Sequence, residues 1–201
     1  MKYLNTFGLL TLLLLVSCST VTNENPPDSE EEVAVLSAEE MRDRGEYLVT
    51  LAGCDHCHSP KEMTPQGPAP IMDLWMSGYP ADRPLPQIDP SEVSPGKWVL
   101  MTGDLTAGVG PWGVSFASNL TPAESGIGSW TFEQFQTSLV EGRYKGHKEG
   151  RMLLPPMPWQ SIGKMAEEDM RAIYEYLMSL PAVDNVVPNH IPPDQLAAAS
   201  K

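Results

Sequence analysis

The chain has 201 residues and a formal net charge of −13, with 13 Lys and Arg residues against 26 Asp and Glu residues. This length allows one domain with tails, and the negative charge excludes a general nucleic-acid or anionic-membrane surface, because like charges repel. The 20 prolines and 16 glycines beside 41% hydrophobic residues indicate a loop-rich domain with a modest core.

Residues 1–17 have the pattern of an export signal. Lys2 supplies a positive start, and Leu9 to Val16 form an apolar run that is shorter than the roughly 20 residues of a membrane-spanning helix. The run ends in Leu-Val-Ser before Cys18, which resembles a bacterial lipoprotein signal. This resemblance implies acylation of Cys18 and a lipid anchor on the periplasmic side of the envelope or at the cell surface. The alternative is an ordinary secretory signal in which Cys18 is incidental.

Residues 18–36 are polar and acidic and show no apolar period, so they predict a disordered tether. Ser37 followed by Glu40 indicates a capping box at the start of a first helix. Within that helix Gly45 lacks a side chain, which permits the close approach of another helix. The domain is expected to span residues 37–185, with a flexible tail over 186–201.

Directly after this helix the chain reads Cys54-Asp55-His56-Cys57-His58, the C-x-x-C-H motif of c-type haem attachment. Two thiols three positions apart can each form a thioether with one vinyl group of a porphyrin, and the histidine after the second thiol then faces the iron. We therefore expect Cys54 and Cys57 to attach haem c covalently and His58 to be the proximal iron ligand. The motif occurs once, which predicts one haem.

Two other uses of paired cysteines are less consistent with this sequence. A thioredoxin-like redox pair needs a βαβ context, whereas a helix and a proline-rich loop flank this motif. A structural zinc site needs a second pair of ligands, and the remaining histidines, His147 and His190, are isolated in the sequence.

Met157 is the candidate for the second axial ligand. It lies between Pro156 and Pro158, which restrict the backbone and stiffen the loop. A thioether on a rigid loop suits haem iron and raises its reduction potential. The alternatives that remain open are Met152, Met165 and His147.

Five segments together resemble a bacterial family of class I c-type cytochromes, which includes cytochrome subunits or partners of periplasmic dehydrogenases. They are Cys54–His58, 116–122 (FASNLTP), 126–131 (GIGSWT), 155–159 (PPMPW) and 170–177 (MRAIYEYL). The resemblance implies a mainly α, cytochrome c-like helical domain around one covalent haem, with Met157 as the distal ligand. It also implies an electron carrier rather than an enzyme, with redox proteins as partners.

The remaining helices are predicted from local signals. Thr131 and Gln134 form a capping box for a middle helix that stops at Gly142. Apolar residues at helical spacing from Met170 to Leu177 predict a final helix that ends before Pro181. Ala166 before this helix cannot cap it with a side chain. We expect the final helix to pack across the first near Gly45.

Residues 60–128 form a long insertion rich in proline and glycine, which we expect to cover a haem edge and shape a partner surface. Within it, residues 98–101 and 113–116 are expected to form a small β-hairpin. Trp130 and Trp159 either pack on the haem, bind a haem propionate through the indole N–H, or are simple core aromatics. Four basic residues precede the methionine loop and either steer an acidic partner, neutralise the haem propionates or are merely solvated: Arg143, Lys145, Lys148 and Arg151.

Two rival functions follow from an open iron position. A peroxidase-like haem enzyme predicts a distal His or Arg, and in its two-haem form a second attachment motif. A gas-binding sensor predicts that carbon monoxide binds the reduced iron without displacing Met157.

Overall fold

A computed structural model describes residues 36–196. The predicted export signal, Cys18 and the tether up to residue 35 lie outside the described residues. The described part contains five α-helices and two small antiparallel sheets. The helices are α1 (Ala38–Leu51), α2 (Cys54–His58), α3 (Phe132–Val140), α4 (Trp159–Ile162) and α5 (Glu167–Ser179). The strands are β1 (Lys61–Thr64), β2 (Gly67–Pro70), β3 (Leu100–Met101), β4 (Ala107–Gly110) and β5 (Gly113–Phe116).

Helix α1 begins at the predicted capping box. The Ser37 hydroxyl accepts from the Glu40 amide at 3.3 Å, and the Glu40 carboxylate accepts from the Ser37 amide at 2.9 Å. Helix α5 crosses α1 at Gly45, where an added Cβ would lie 2.6 Å from the Cβ of Tyr176. The predicted contact between the first and last helices is therefore confirmed.

Helices α3 and α4 complete the helical core. The predicted capping box of α3 is present, with Gln134 N 3.2 Å from the Thr131 hydroxyl. Ala166 precedes α5 without a side-chain cap, as predicted, and three acidic residues in the first turn favour the positive end of the helix dipole. The buried members of this core are Val49, Met76, Ile127, Phe135, Leu139, Ile162, Ile173 and Leu177.

The β structure exceeds the predicted hairpin, so the mainly α prediction is confirmed only in part. Strands β1 and β2 form an unpredicted hairpin, and β3, β4 and β5 form a three-stranded sheet in that order. The predicted pairing of residues 98–101 with 113–116 is wrong, because β4 lies between them and pairs with both. Strand β4 reads Ala-Gly-Val-Gly, which carries little β propensity, so its place depends on its neighbours.

A second apolar cluster packs on the three-stranded sheet and includes the C-terminal segment. Its buried members are Tyr79, Val93, Ala107, Val114 and Leu196. Ile191 pairs with Val114 on β5, with its amide 3.1 Å from the Val114 carbonyl. The flexible tail from residue 186 stays a prediction; in the structure this pairing and the burial of Leu196 place that part of the segment against the sheet. Residues 197–201 lie outside the described residues.

Candidate functional site

The C-x-x-C-H motif forms its own short helix, α2, immediately after α1. Gly53 adopts a left-handed conformation with φ of 68° and turns the chain between the two helices. Both thiols are free and partly buried, and the Cys54 side chain packs against the helical core. The two cysteines are three positions apart, so their side chains lie on neighbouring positions of one helix face.

The His58 side chain at the end of α2 is buried, with 8% of its surface exposed. Its Nδ1 atom lies 2.7 Å from the backbone carbonyl of Ser118. Because a carbonyl can only accept, Nδ1 carries the proton and Nε2 keeps its lone pair. Burial lowers the pKa of His58, and the bond to Ser118 opposes this shift only partly. The imidazole is thus held neutral and oriented, as a metal-binding histidine requires.

The two thiols differ in their electrostatic surroundings. Burial, and next the negative charge of Asp55, raise the pKa of Cys54 to about 11. Burial also raises the pKa of Cys57, but the nearby Lys61 ammonium opposes that shift. Both cysteines are therefore neutral thiols in this fold, and neither has the lowered pKa of a redox-active cysteine.

The loop that carries Met157 runs back towards this helical core. The Leu153 amide donates to the Gly142 carbonyl at 2.7 Å, and the Ser115 hydroxyl on β5 donates to the Pro155 carbonyl at 2.5 Å. The Met157 side chain is half-buried and packs against the same core cluster as Cys54. The structure therefore brings the motif helix and the methionine loop to one apolar cluster.

The other candidate ligands take different positions. Met152 is 39% exposed and pairs with Arg143 through a backbone bridge, and His147 is exposed. Met165 packs against the helical core, which agrees with its expected place near α5.

The two tryptophans singled out from the sequence lie in different environments. Trp130 packs against the helical core, and its carbonyl accepts from the Tyr174 hydroxyl at 2.7 Å. Trp159 begins α4, and its ring lies against Gly142, where an added Cβ would be 2.5 Å from two ring atoms.

Several neighbours of this site carry no motif signal. Ser118 lies in a segment that the sequence singled out, but nothing marked its carbonyl as the partner of His58. Met76 is fully buried in the helical core, and its amide donates to the Ser59 hydroxyl at 3.0 Å. Trp75 and Leu120 pack against the same cluster. These contacts join residues far apart in the sequence, so no local pattern reports them.

The residues present fit a haem c group. The donor set contains two neutral thiols at positions i and i+3, a buried imidazole with a lone pair on Nε2, and a thioether on the same apolar cluster. Among residues 36–196, the Nε2 atom of His58 forms no hydrogen bond. A soft sulfur and an imidazole nitrogen are both suitable axial donors for haem iron.

Two of the four basic residues before the methionine loop lie against one tyrosine ring. The Arg151 guanidinium lies 3.8 Å from the centre of the Tyr144 ring, and the Lys145 ammonium lies 5.7 Å from it. Within the part of the chain that the structure describes, none of the four forms an ion pair with a carboxylate: Arg143, Lys145, Lys148 and Arg151. The side chains of Lys145, Lys148 and Arg151 are exposed.

The described residues contain neither a membrane-spanning helix nor a cluster of metal-binding side chains. No helix between residues 36 and 196 is long and apolar enough to cross a membrane. Over the same residues, no group of three or more His, Cys, Asp or Glu side chains is arranged to hold a metal ion by itself.

Comparison with known proteins relates this chain to cytochrome subunits. No family model matches the chain. It is 28% identical over 136 residues to the gluconate 2-dehydrogenase cytochrome c subunit of Pantoea cypripedii, which covers 67% of this chain and 22% of that protein. It is 39% identical over 69 residues to the cytochrome c subunit of the quinone alcohol dehydrogenase of Gluconacetobacter polyoxogenes, which covers 34% of this chain and 14% of that protein.

A third relative, a nicotinate dehydrogenase subunit from Pseudomonas putida, is 38% identical over 79 residues, covering 39% of this chain and 6% of that protein. The chain thus spans less than a quarter of the length of each of these relatives. Proteins similar to this chain thus include cytochrome subunits of dehydrogenases, and these similarities support a relationship to cytochromes c.

Proposed function

We propose that this protein is a monohaem c-type cytochrome that carries single electrons between redox proteins. The observation that carries the proposal is the C-x-x-C-H helix, in which His58 is buried and oriented by the Ser118 carbonyl. In this proposal Cys54 and Cys57 attach the haem, and His58 and Met157 are its axial ligands. When bound, haem c supplies a one-electron Fe(III)/Fe(II) couple.

The residues of the chain have three separate tasks in this function. Each thiol would hold the haem by adding its sulfur and its hydrogen across one porphyrin vinyl group, which would fix the ring to α2. The Ser118 carbonyl holds His58 in one tautomer and one orientation, so that Nε2 is always available. Met157 packs against the apolar core, and its thioether would supply the iron ligand that a peroxidase or a gas sensor lacks.

The partner that the homologues favour is a dehydrogenase. Several of them are named as cytochrome c subunits of dehydrogenases that act on gluconate, alcohol or fructose. We infer that this chain accepts electrons from a catalytic subunit of that kind and passes them to another cytochrome or an oxidase. It is therefore a carrier and not the catalytic unit.

The proposed location follows from the sequence at the N-terminus. Residues 1–17 direct export, and acylation of Cys18 anchors the domain to a membrane of the bacterial envelope through an acidic tether. Haem attachment to C-x-x-C-H takes place outside the cytoplasm, which agrees with export.

Absorption spectra of the matured protein test this function. The chain is produced with the cytochrome c maturation machinery, and spectra are recorded in both oxidation states with and without carbon monoxide. We expect one covalent haem per chain, a methionine-to-iron band in the oxidised state, and no carbon monoxide adduct. A double variant, Cys54→Ala with Cys57→Ala, is the control and is expected to yield a largely unfolded, protease-sensitive domain.

The same spectra separate the rival functions. Rapid formation of a carbon monoxide adduct in the wild-type protein, together with the absence of a methionine band, would indicate an open iron position. A colourless protein with free or zinc-bound thiols after maturation would contradict haem attachment altogether.

A further inference from the structure

The Lys61 side chain is held in an unusual way next to the motif helix. Its ammonium donates to three backbone carbonyls: to His56 at 2.6 Å, to Ser59 at 3.1 Å and to Asp104 at 2.9 Å. An ammonium has three N–H donors, so all of its hydrogen-bonding capacity goes to backbone acceptors. Among the described residues Lys61 forms no ion pair, whereas Arg44, Arg83 and Arg171 each pair with a carboxylate.

These three bonds join separate parts of the fold. His56 and Ser59 belong to the end of α2 and the turn that follows it, whereas Asp104 lies between β3 and β4. The Asp104 side chain is itself bound by Arg83 and by the Thr102 and Thr106 hydroxyls, the latter two at 2.8 and 2.9 Å. The ammonium therefore connects the turn after α2 to the turn between β3 and β4. It cannot move away from the motif without losing three hydrogen bonds.

The Lys61 ammonium lies next to the second half of the motif. Its bonds to the His56 and Ser59 carbonyls place the positive charge beside the backbone on both sides of Cys57 and His58. Within the motif the Asp55 carboxylate supplies a negative charge, and its Oδ1 atom is buried without a hydrogen-bond partner. The Lys61 ammonium is thus the cation that is held by three bonds next to a motif that itself contains one acidic residue.

We propose that Lys61 is a positioning residue that orders the turn after the haem-binding motif and whose fixed positive charge raises the reduction potential of the bound haem. This inference rests on the proposed function. Reduction by one electron from a redox partner lowers the positive charge at the iron by one unit. A nearby cation that cannot move away, in a partly buried site with a low local dielectric, favours that reduced state.

Redox titration of the matured protein tests the charge effect. In Lys61→Met we expect the equilibrium constant for haem reduction to fall by about threefold or more, which is a shift of about 28 mV for a one-electron couple. Lys97→Met is the matched control: Lys97 is exposed, and its loss changes the net charge of the chain by the same amount. Lys61→Arg keeps the charge and is expected to restore most of the potential.

Amide hydrogen exchange on the same proteins tests the positioning effect. Loss of the three bonds is expected to speed exchange at the amides of Ser59 and of Thr106, which lie on the two turns that Lys61 joins, in Lys61→Met but not in Lys97→Met. If Lys61→Met gives no folded holoprotein, Lys61→Gln takes its place. The glutamine amide can donate to two of the carbonyls and carries no charge.

The outcomes separate this inference from the proposed function. Wild-type protein without covalent haem would contradict the proposed function itself. Covalent haem with a potential that is the same in the wild type, Lys61→Met and Lys97→Met would overturn the role of Lys61 and leave the cytochrome function intact. An equal shift in both Met variants would show a general effect of net charge and would also overturn it.

Discussion

Gly78→Ala tests whether the backbone next to His58 must pack closely against the Ser118–Asn119 segment. Gly78 has a φ of +77°, and its amide donates to the His58 carbonyl at 2.8 Å. A Cβ at this position would lie 2.6 Å from the carbonyl carbon of Ser118 and 2.7 Å from the amide nitrogen of Asn119. These are backbone atoms of the segment that orients the His58 imidazole, so the added methyl group can be accommodated only if that segment moves.

The expected loss of stability has two parts. A residue with a Cβ in the left-handed region costs about 1–2 kcal/mol relative to glycine. Overpacking against atoms that cannot rotate away costs about 1–3 kcal/mol more. Gly78→Ala should therefore lower the free energy of unfolding by about 2–5 kcal/mol. Gly96→Ala is the matched control, because Gly96 has a φ of +83° and nothing lies within 4 Å of its Cβ position.

Urea denaturation of the two matured variants, followed by haem absorbance and by circular dichroism, measures both parts. Gly96→Ala should lose only the conformational part, about 1–2 kcal/mol. Because the Ser118 carbonyl is displaced, Gly78→Ala should also change the haem potential, which Gly96→Ala should leave unchanged. Equal losses of stability in the two variants, with equal potentials, would refute the reasoning.

Three further predictions concern other parts of the molecule. Gly45→Ala should lower the free energy of unfolding by about 1–2 kcal/mol, because the contact with α5 outweighs the better helix propensity of alanine; Gly103→Ala, in open space, should change it little in the same urea titration. Burial alone would raise the pKa of Asp104, but hydrogen bonds from Arg83, Thr102 and Thr106 outweigh burial and lower it. Asp104 therefore stabilises the fold above its unfolded-state pKa, and this contribution is lost as the pH falls through the lower folded-state pKa. In Asp104→Asn the free energy of unfolding should depend less on pH below about pH 4 than in the wild type. The same pH dependence in both proteins would exclude this role. Reversal of charge at Lys145 and Lys148 should slow electron transfer with an acidic partner and weaken its dependence on salt; a stopped-flow series in which the rate and the salt slope stay the same would remove the steering role.

Local signals in the sequence predicted the helical half of the fold well. Each capping box lies within four consecutive residues, so Ser37 with Glu40 and Thr131 with Gln134 are readable without tertiary information. Gly45 could also be interpreted from the local sequence, because a glycine within an apolar helix face indicates the close approach of another helix. The candidate site residues also come from local patterns, the C-x-x-C-H motif and the proline-flanked Met157, and their roles stay predictions.

The sheet and the C-terminal segment were harder to predict because their structure depends on distant partners. Strand β4 has two glycines among its four residues, and it pairs only because β3 and β5 lie on either side of it. The Ile191 amide finds its acceptor on Val114, far away in the chain. The partner of His58 is a backbone carbonyl, which every residue possesses, so the sequence contains no sign that it is the one at Ser118.

The insertion over residues 60–128 contacts His58 and the helical core and is therefore more than a surface loop. It contributes Met76 to the helical core, the Gly78 amide to the His58 carbonyl and the Ser118 carbonyl to the His58 imidazole. Its start and its middle meet at the Lys61 ammonium, which binds the Asp104 carbonyl. A minimal helical domain without this segment would leave the imidazole with neither its hydrogen-bond partner nor its backbone contact. The insertion therefore supports His58 from two places: Gly78 binds its backbone carbonyl, and Ser118, near the end of the insertion, binds its imidazole.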